Sequence, residues 1–434
     1  MKNTKKLFCL LLALVMTLAM VACGGNTTTE PTEPVEQVTD ASGQRIYEGV
    51  KLVYWSNWEA VETQGLIITE AVNEFMEETG AIVDLQFKGR TGIKEGLIPA
   101  LDADQQVDLF DGAGNKSNYG DRIISVEDLM SDEYEAAGNA AMMALCRSYY
   151  ADGQTREIPY QMKGNGVFYN KDLFAQAGIE SVPTTWAEFV DVCAKLQAAG
   201  ITPLTTDDAY TPQQFGIHLA RMLGTDAVKA VVNDGLWAET PEVLATAQAI
   251  ETLAKAGYYS NLVASNAFPT GQNTEFATGM VAMYVNGSWL PNEVRSITGD
   301  TFNWGFFNYP EVDGGINGTE AMVIGCQSFA ITNKCENTEA AFALIAKITR
   351  GSWDAKLAEG TLGLPIDNAN TEWPTQLADC KPYFDACTEI FAVSGGLENN
   401  PDITPSLKPN LQLLYSGAIS AQDFVDAMET ASQG

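Results

Sequence analysis

The chain has 434 residues, with 56 acidic against 25 basic side chains, a formal net charge of −31 at pH 7, eight cysteines and one histidine. Such a balance excludes a nucleic-acid partner, because a phosphate backbone is bound through clustered Lys and Arg. A lone histidine excludes multi-histidine zinc sites and leaves any Ser-His-Asp or Cys-His arrangement only His218 to use.

The first predicted element is a leader. Lys2, Lys5 and Lys6 form a cationic stretch, Leu7 to Val21 is apolar, and Ala22-Cys23-Gly24-Gly25 follows with a small residue just before a cysteine. This predicts a secretory signal peptide over 1–22 that ends in a lipobox-like site, although Met20 is a less usual residue three positions before Cys23. The apolar run falls short of the ~20 residues that a bilayer requires. Residues 23–47, with Thr27-Thr28-Thr29-Glu30-Pro31-Thr32-Glu33-Pro34, are too polar and Pro-rich to build a core, so they read as a lipid-bearing Cys23 and a disordered tether. The expected location is the extracytoplasmic face of the cell membrane, lipid-anchored. The remaining body of about 390 residues exceeds what one core holds, which predicts two lobes. The acidity reads as colloidal solubility, and its field disfavours anionic ligands unless a local Arg or Lys offsets it.

Strand-like and helix-like segments then alternate. Lys51 to Trp55 predicts a strand, Ile67 to Glu78 a helix stopped by Gly80, Ala81 to Phe87 a strand, Ile93 to Leu101 a helix, and Val107 to Phe110 a strand. A βαβαβ run of this kind predicts a mostly parallel sheet with helices on its faces, and ligands in such sheets sit beyond the carboxyl ends of the strands. The loops at 56–60 and 111–115 are therefore candidate site loops. Thr185-Trp186-Ala187-Glu188 is a capping box opening a helix that ends before Gly200, and Thr240-Pro241 opens another that stops at Gly257. GxSxG, Walker A and GxGxxG motifs are missing, and nothing calls for a cofactor or a metal. Cys380 and Cys387 are near enough in sequence to be bridged, and equally read as small buried thiols.

Three stretches, Ile158-Pro159 through Tyr169-Asn170-Lys171-Asp172-Leu173-Phe174, then Ala177-Gly178 through Thr185-Trp186 to Ala199-Gly200, and Phe276 to Asn286-Gly287-Ser288-Trp289, resemble extracellular solute-binding proteins of family 1. The maltose-binding-protein-like group is the nearest in pattern. The resemblance implies an α/β, two-lobe, periplasmic-binding-protein-like (type II) fold with a ligand cleft between the lobes. It implies one lobe from 48–161 and 305–350, and another from 162–304 and 351–434. It also implies capture of a small solute, a mono- or oligosaccharide, by a monomer that delivers it to the membrane permease subunits of an ABC importer, without catalysis.

Candidate ligand contacts follow residue by residue. The stretch from Lys51 to Glu59 resembles the family's first strand and polar loop, which puts Asn57, Trp58 and Glu59 at the cleft. Asp208-Ala209-Tyr210 resembles a Glu-Pro-Tyr stretch that meets sugar, and Trp289 matches an aromatic residue on which a sugar ring stacks. Arg90 and Asp111 are read in strand-end loops as further polar contacts. A pyranose has an apolar face that suits an aromatic ring and a hydroxyl rim that suits carboxylates, amides and Arg. Each residue also has a plainer reading, with Tyr210 and Trp289 as core aromatics, Asp208 as an N-cap, and Arg90 and Asp111 as surface charges. Near Lys163 the maltose group carries a Glu instead, which counts against maltodextrin as the solute. Two other functions fit the sequence: a surface glycoside hydrolase, which needs two carboxylates about 5–9.5 Å apart, and a pure adhesin or structural lipoprotein, which would bind no small ligand saturably. Within the binding-protein class, the solute can instead be a non-sugar such as a polyamine, a peptide or a phosphorylated compound.

Overall fold

A computed structural model of the chain describes residues 35–299 and 301–433. The leader and Cys23 lie outside the described residues. Among the described residues nine strands form the framework: β1 (Lys51–Ser56), β2 (Ile82–Phe87), β3 (Leu109–Ala113), β4 (Ile158–Asn170), β5 (Thr202–Thr205), β6 (Val281–Gly287), β7 (Trp304–Phe307), β8 (Ala321–Ile331) and β9 (Glu389–Phe391). They hydrogen-bond in the order β2-β1-β3-β8-β4-β6-β5, with β7 added on β4 and β9 on β8.

The βαβαβ run forms as its hydrophobic periods dictate. β1 pairs in parallel with β2 and β3, and the helices Thr63–Thr79 and Gly89–Asp102 make the crossovers. The first helix turns its Ile67, Ile68, Ala71, Val72 and Phe75 stripe onto β1 and ends where Gly80 takes a left-handed φ of 79°. Pro99 sits inside the second helix near its end.

Two long antiparallel strands, β4 and β8, carry the chain between the halves. The start of β4 pairs with Gln327 to Phe329 of β8, and β8 pairs there with β3 on its other edge. Farther along, β4 leaves β8 and pairs with β6 and β7. One core therefore gathers around β1 and the helix Thr63–Thr79. The other gathers around the helices Trp186–Ala198, Thr211–Leu223, Pro241–Lys255, Thr404–Tyr415 and Ala421–Ser432. Thr185 and Glu188 close the expected capping box.

The packing moves three of the expected boundaries. β7, placed with the first lobe from residue 305 on, is bonded to Val167–Asn170 of β4 in the second half, and Tyr309 and Val312 join that core. The helix Gly351–Thr361, assigned to the second lobe, packs Trp353 and Leu357 into the first core and donates from Trp353 Nε1 to Glu74 Oε1 at 3.2 Å. Residues 38–47, read as the end of a disordered tether, are tied to the folded body instead. Val38 N donates to Glu78 O at 3.0 Å, Tyr47 N donates to Thr79 O at 2.9 Å, and the Tyr47 ring packs on Phe75.

His218 lies in the second core, edge-on to Trp186, with Nδ1 3.1 Å from the Tyr309 hydroxyl. Burial pushes its pKa down to about 3, so it stays neutral and is removed from acid–base work at physiological pH. Among the described residues the six cysteines are free thiols, Cys380 and Cys387 included. In the same half, the helix Thr211–Leu223 presses against the turn Val393–Gly396, and a Cβ on Gly216 would run into the Ser394 carbonyl. Gly216→Ala should therefore destabilise the protein by about 1–3 kcal/mol through forced displacement of that turn. The midpoint of urea unfolding, compared with wild type, measures it.

Candidate functional site

A cavity of about 540 Å³ opens where β4, β8, the loop after β1 and the segment after β6 meet. Its geometry is set by an irregularity in β4. Tyr160 pairs with Gln327 and Met162 with Cys326, so Gln161 is an extra residue, and it bulges out with a φ of 49°. A bulge shifts the alternation of side chains by one position. Tyr160 and Lys163, three residues apart, consequently stand on the same face of the strand. Gln161 is held in place by donating from Nε2 to Thr361 Oγ1 at 2.6 Å, and Gln161, Met162 and Lys163 all line the cavity.

One wall comes from the first half. Trp58 lies over the cavity, and its Nε1 donates to the Tyr160 hydroxyl at 2.8 Å. That hydroxyl donates in turn to Asp111 Oδ2, while Asp111 accepts from Asn57 N at 2.8 Å and Asn57 Nδ2 at 3.3 Å. Burial raises the Asp111 pKa, against the pull of these donors. The chain Asp111–Tyr160–Trp58 therefore fixes the orientation of the tryptophan. Arg90 stacks its guanidinium 4.7 Å from the Trp58 ring and pairs with Glu62 at 2.6 Å.

The opposite wall is aromatic. Trp289 follows β6, and its ring lies against Gly287, where a Cβ would collide with it. Its Nε1 donates to the Tyr210 hydroxyl at 3.0 Å, the two rings stand 6.2 Å apart at 32°, and Phe268 meets Tyr210 edge-on. Glu293, one helical turn beyond Trp289, accepts from Tyr210 at 3.4 Å and from Asn273 at 3.3 Å. Burial lifts its pKa to about 7. Gln64, Gln327, Ser288 and Asn292 add amide and hydroxyl groups.

Of the residues expected at the site, Trp58, Arg90, Tyr210 and Trp289 line this cavity. Asn57 and Asp111 do not. They are buried behind Trp58, and Asp111 belongs to β3 itself rather than to a loop after it. Arg90 likewise sits in the first turn of a helix rather than in a loop. Glu59 lies outside the cavity, with its amide donating to Glu62 Oε2 at 2.7 Å. Asp208 also lies outside, where its Oδ1 accepts from Phe268 N at 2.8 Å and so holds the Phe268 loop. The sequence reading missed Glu62, Gln161, Phe268, Glu293 and Gln327. Only the helical spacing of Glu293 from Trp289 gave a signal for any of them.

The profile of a family described as bacterial extracellular solute-binding protein matches residues 59–350. A binding protein of Brucella abortus is 25% identical over 279 residues, covering 61% of this chain and 64% of the relative. The chain thus spans less than two thirds of that relative's length. The diacetylchitobiose binding protein DasA of Streptomyces coelicolor is 24% identical over 283 residues, covering 63% of this chain and 61% of the relative. Among solved structures, a chitin oligosaccharide binding protein superposes with a TM-score of 0.72 at 19% identity over 89% of this chain and 98% of the other. A secreted solute-binding lipoprotein from Streptomyces coelicolor gives 0.75 at 16% identity over 88% and 98%. These likenesses show the two-lobe fold expected from the sequence.

The Glu293 carboxyl gives a pH signature. Its folded pKa is raised from the ordinary 4.5 to about 7, so the folded state binds a proton that the unfolded chain releases, and the stability gained is lost as pH rises from about 4.5 to about 7. Wild type should lose about 2–3 kcal/mol relative to Glu293→Gln across that window. Denaturant titrations of both proteins at pH 4.5 and pH 8 measure the difference.

Proposed function

The chain belongs to the bacterial extracellular solute-binding protein family, residues 59–350 carrying the match, and from that membership we propose that the solute is a mono- or oligosaccharide delivered to the permease subunits of an ABC importer. The observation that carries the sugar reading is the aromatic wall. Trp289, Tyr210 and Phe268 offer ring faces and edges, while Gln64, Gln161, Gln327, Asn292 and Ser288 supply amides and a hydroxyl around them. An apolar sugar face packs on the rings and the hydroxyl rim bonds to the amides. Relatives named for diacetylchitobiose and chitin oligosaccharide support the same class.

A binding role without turnover fits the side chains at hand. The two carboxylates that line the cavity are already engaged, Glu62 by Arg90 and Glu293 by Tyr210 and Asn273, and the lone histidine is neutral in a core. The protein acts as a monomer, tethered outside the cytoplasm through a lipid on Cys23. Residues 48–161 and 332–361 with the end of β8 make one lobe, and 162–320 with 362–433 make the other.

Trp289→Ala tests the sugar reading. Loss of a desolvated aromatic anchor should weaken sugar binding by about tenfold or more while the melting temperature stays near that of wild type. Calorimetric titration against a panel of oligosaccharides, run beside thermal melts, reads both. Wild-type affinity in the variant refutes the stacking role, and a collapse of the melting temperature returns Trp289 to the core.

The anchor has its own test. Cys23→Ala should shift the protein from the membrane pellet to the soluble fraction with an unchanged circular dichroism spectrum, and continued sedimentation with membranes refutes lipidation at Cys23.

A further inference from the structure

Of the two cations that line the cavity among the described residues, Arg90 and Lys163, only Arg90 has a carboxylate partner. The partner of Lys163 across the ladder is Gly325 of β8, which has no side chain, so the lysine stem lies over the strand, with Cε 4.0 Å from where a Gly325 Cβ would be. The bulge at Gln161 turns it into the cavity. Besides the Cys326 thiol, the neighbours that act on it are the cations Lys116 and Arg90, and among the described residues no carboxylate pairs with it. Lys116 has Glu157 at 3.7 Å, and Arg90 has Glu62 at 2.6 Å. Beside Lys163, the Gln327 side-chain oxygen is buried without a donor. In a protein of net charge −31, this is a local reversal of sign at the binding cleft. The Lys163 side chain is half-buried against an open cavity, and an ammonium partly desolvated there without a counter-charge favours a ligand that supplies one.

Resting on the sugar reading above, we propose that the solute carries a carboxylate, as a uronic-acid sugar does, and that Lys163 is the residue that selects it. A singly charged group fits better than a phosphate. One unpaired ammonium is at hand and the Arg90 fork is already occupied by Glu62, so one negative charge finds a partner in the cavity and a second does not. The carboxylate meets the Lys163 ammonium. Burial, which otherwise pushes the Lys163 pKa down, would then be offset by the ligand.

The test uses matched disaccharides that differ only at C6 of one ring, so that each acidic member carries a single carboxylate: galacturonosyl-galactose against galactobiose of the same linkage, and cellobiouronic acid against cellobiose. Each is titrated calorimetrically into the full chain, as wild type, Lys163→Gln and Lys163→Arg. In at least one pair the acidic sugar should bind wild type tenfold or more tightly than its neutral counterpart. Lys163→Gln should bring that ratio towards one, Lys163→Arg should restore most of it, and melting temperatures should confirm that both variants fold. Neutral sugars bound as tightly as the acidic ones overturn the proposal and leave the sugar reading standing, and so does a preference that survives Lys163→Gln. Binding to no member of the panel overturns both.

Discussion

The pairing of β4 with β8 is the constraint on which the rest of this molecule depends. Both strands run through the two halves, so any side chain they present is placed relative to both cores at once. The single extra residue at Gln161 interrupts this ladder beside the cavity. A left-handed φ at a non-glycine residue is unfavourable by about 1–3 kcal/mol, and here the bond from Gln161 to Thr361 holds it. What the irregularity achieves is a change of face. Tyr160 reaches back towards Asp111 and Trp58, and Lys163 points into the same cavity that Trp58 covers. A regular strand would have turned one of the two away.

The cavity walls are supported differently on their two sides. In the first half, support comes from a buried chain of hydrogen bonds ending on a carboxylate, so Asn57 and Asp111 act through Trp58 and do not meet a ligand themselves. In the second half, the Trp289 ring rests on bare backbone at Gly287 and is tied to Tyr210, which Phe268 flanks. Asp207, buried beneath, accepts from Tyr210 N at 2.7 Å and from the Tyr284 hydroxyl at 2.9 Å. A polar group fixed from behind in this way loses little freedom when a ligand arrives.

Much of the framework was legible because local signals agreed with one another. The βαβαβ run, the capping box at Thr185 and the glycine stop at Gly80 each rest on short-range chemistry that the fold does not override. The site was legible only in part. Trp58, Tyr210 and Trp289 stand in stretches whose pattern carries over from the family, and they line the cavity. Asp208 and Glu59 stand in the same stretches and do not, since an acidic side chain beside a loop is as easily drawn to a backbone amide as to a ligand. Gln161 and Lys163 could not be placed, because a bulge leaves no compositional mark and it alone decides which face they take. The lobe boundaries failed for a related reason. The helix Gly351–Thr361 follows β8 and the helix Thr338–Thr349 into the first core, a return that no local sequence signal announces.

The overall charge is also a poor guide to the cleft. A field summed over 56 acidic side chains acts on approach from a distance and is screened within about 10 Å at ordinary ionic strength. Inside the cavity the nearest groups dominate, and there the arrangement is mixed. Glu62 is neutralised by Arg90, and Glu293 is held partly protonated near neutral pH by burial. Lys163 is left as the cation without a carboxylate of its own. The sign of the local field thus follows from which carboxylates the fold pairs or protonates. That selection is made by the bulge in β4 and the turn after β6, and the count of acids and bases along the chain has no part in it.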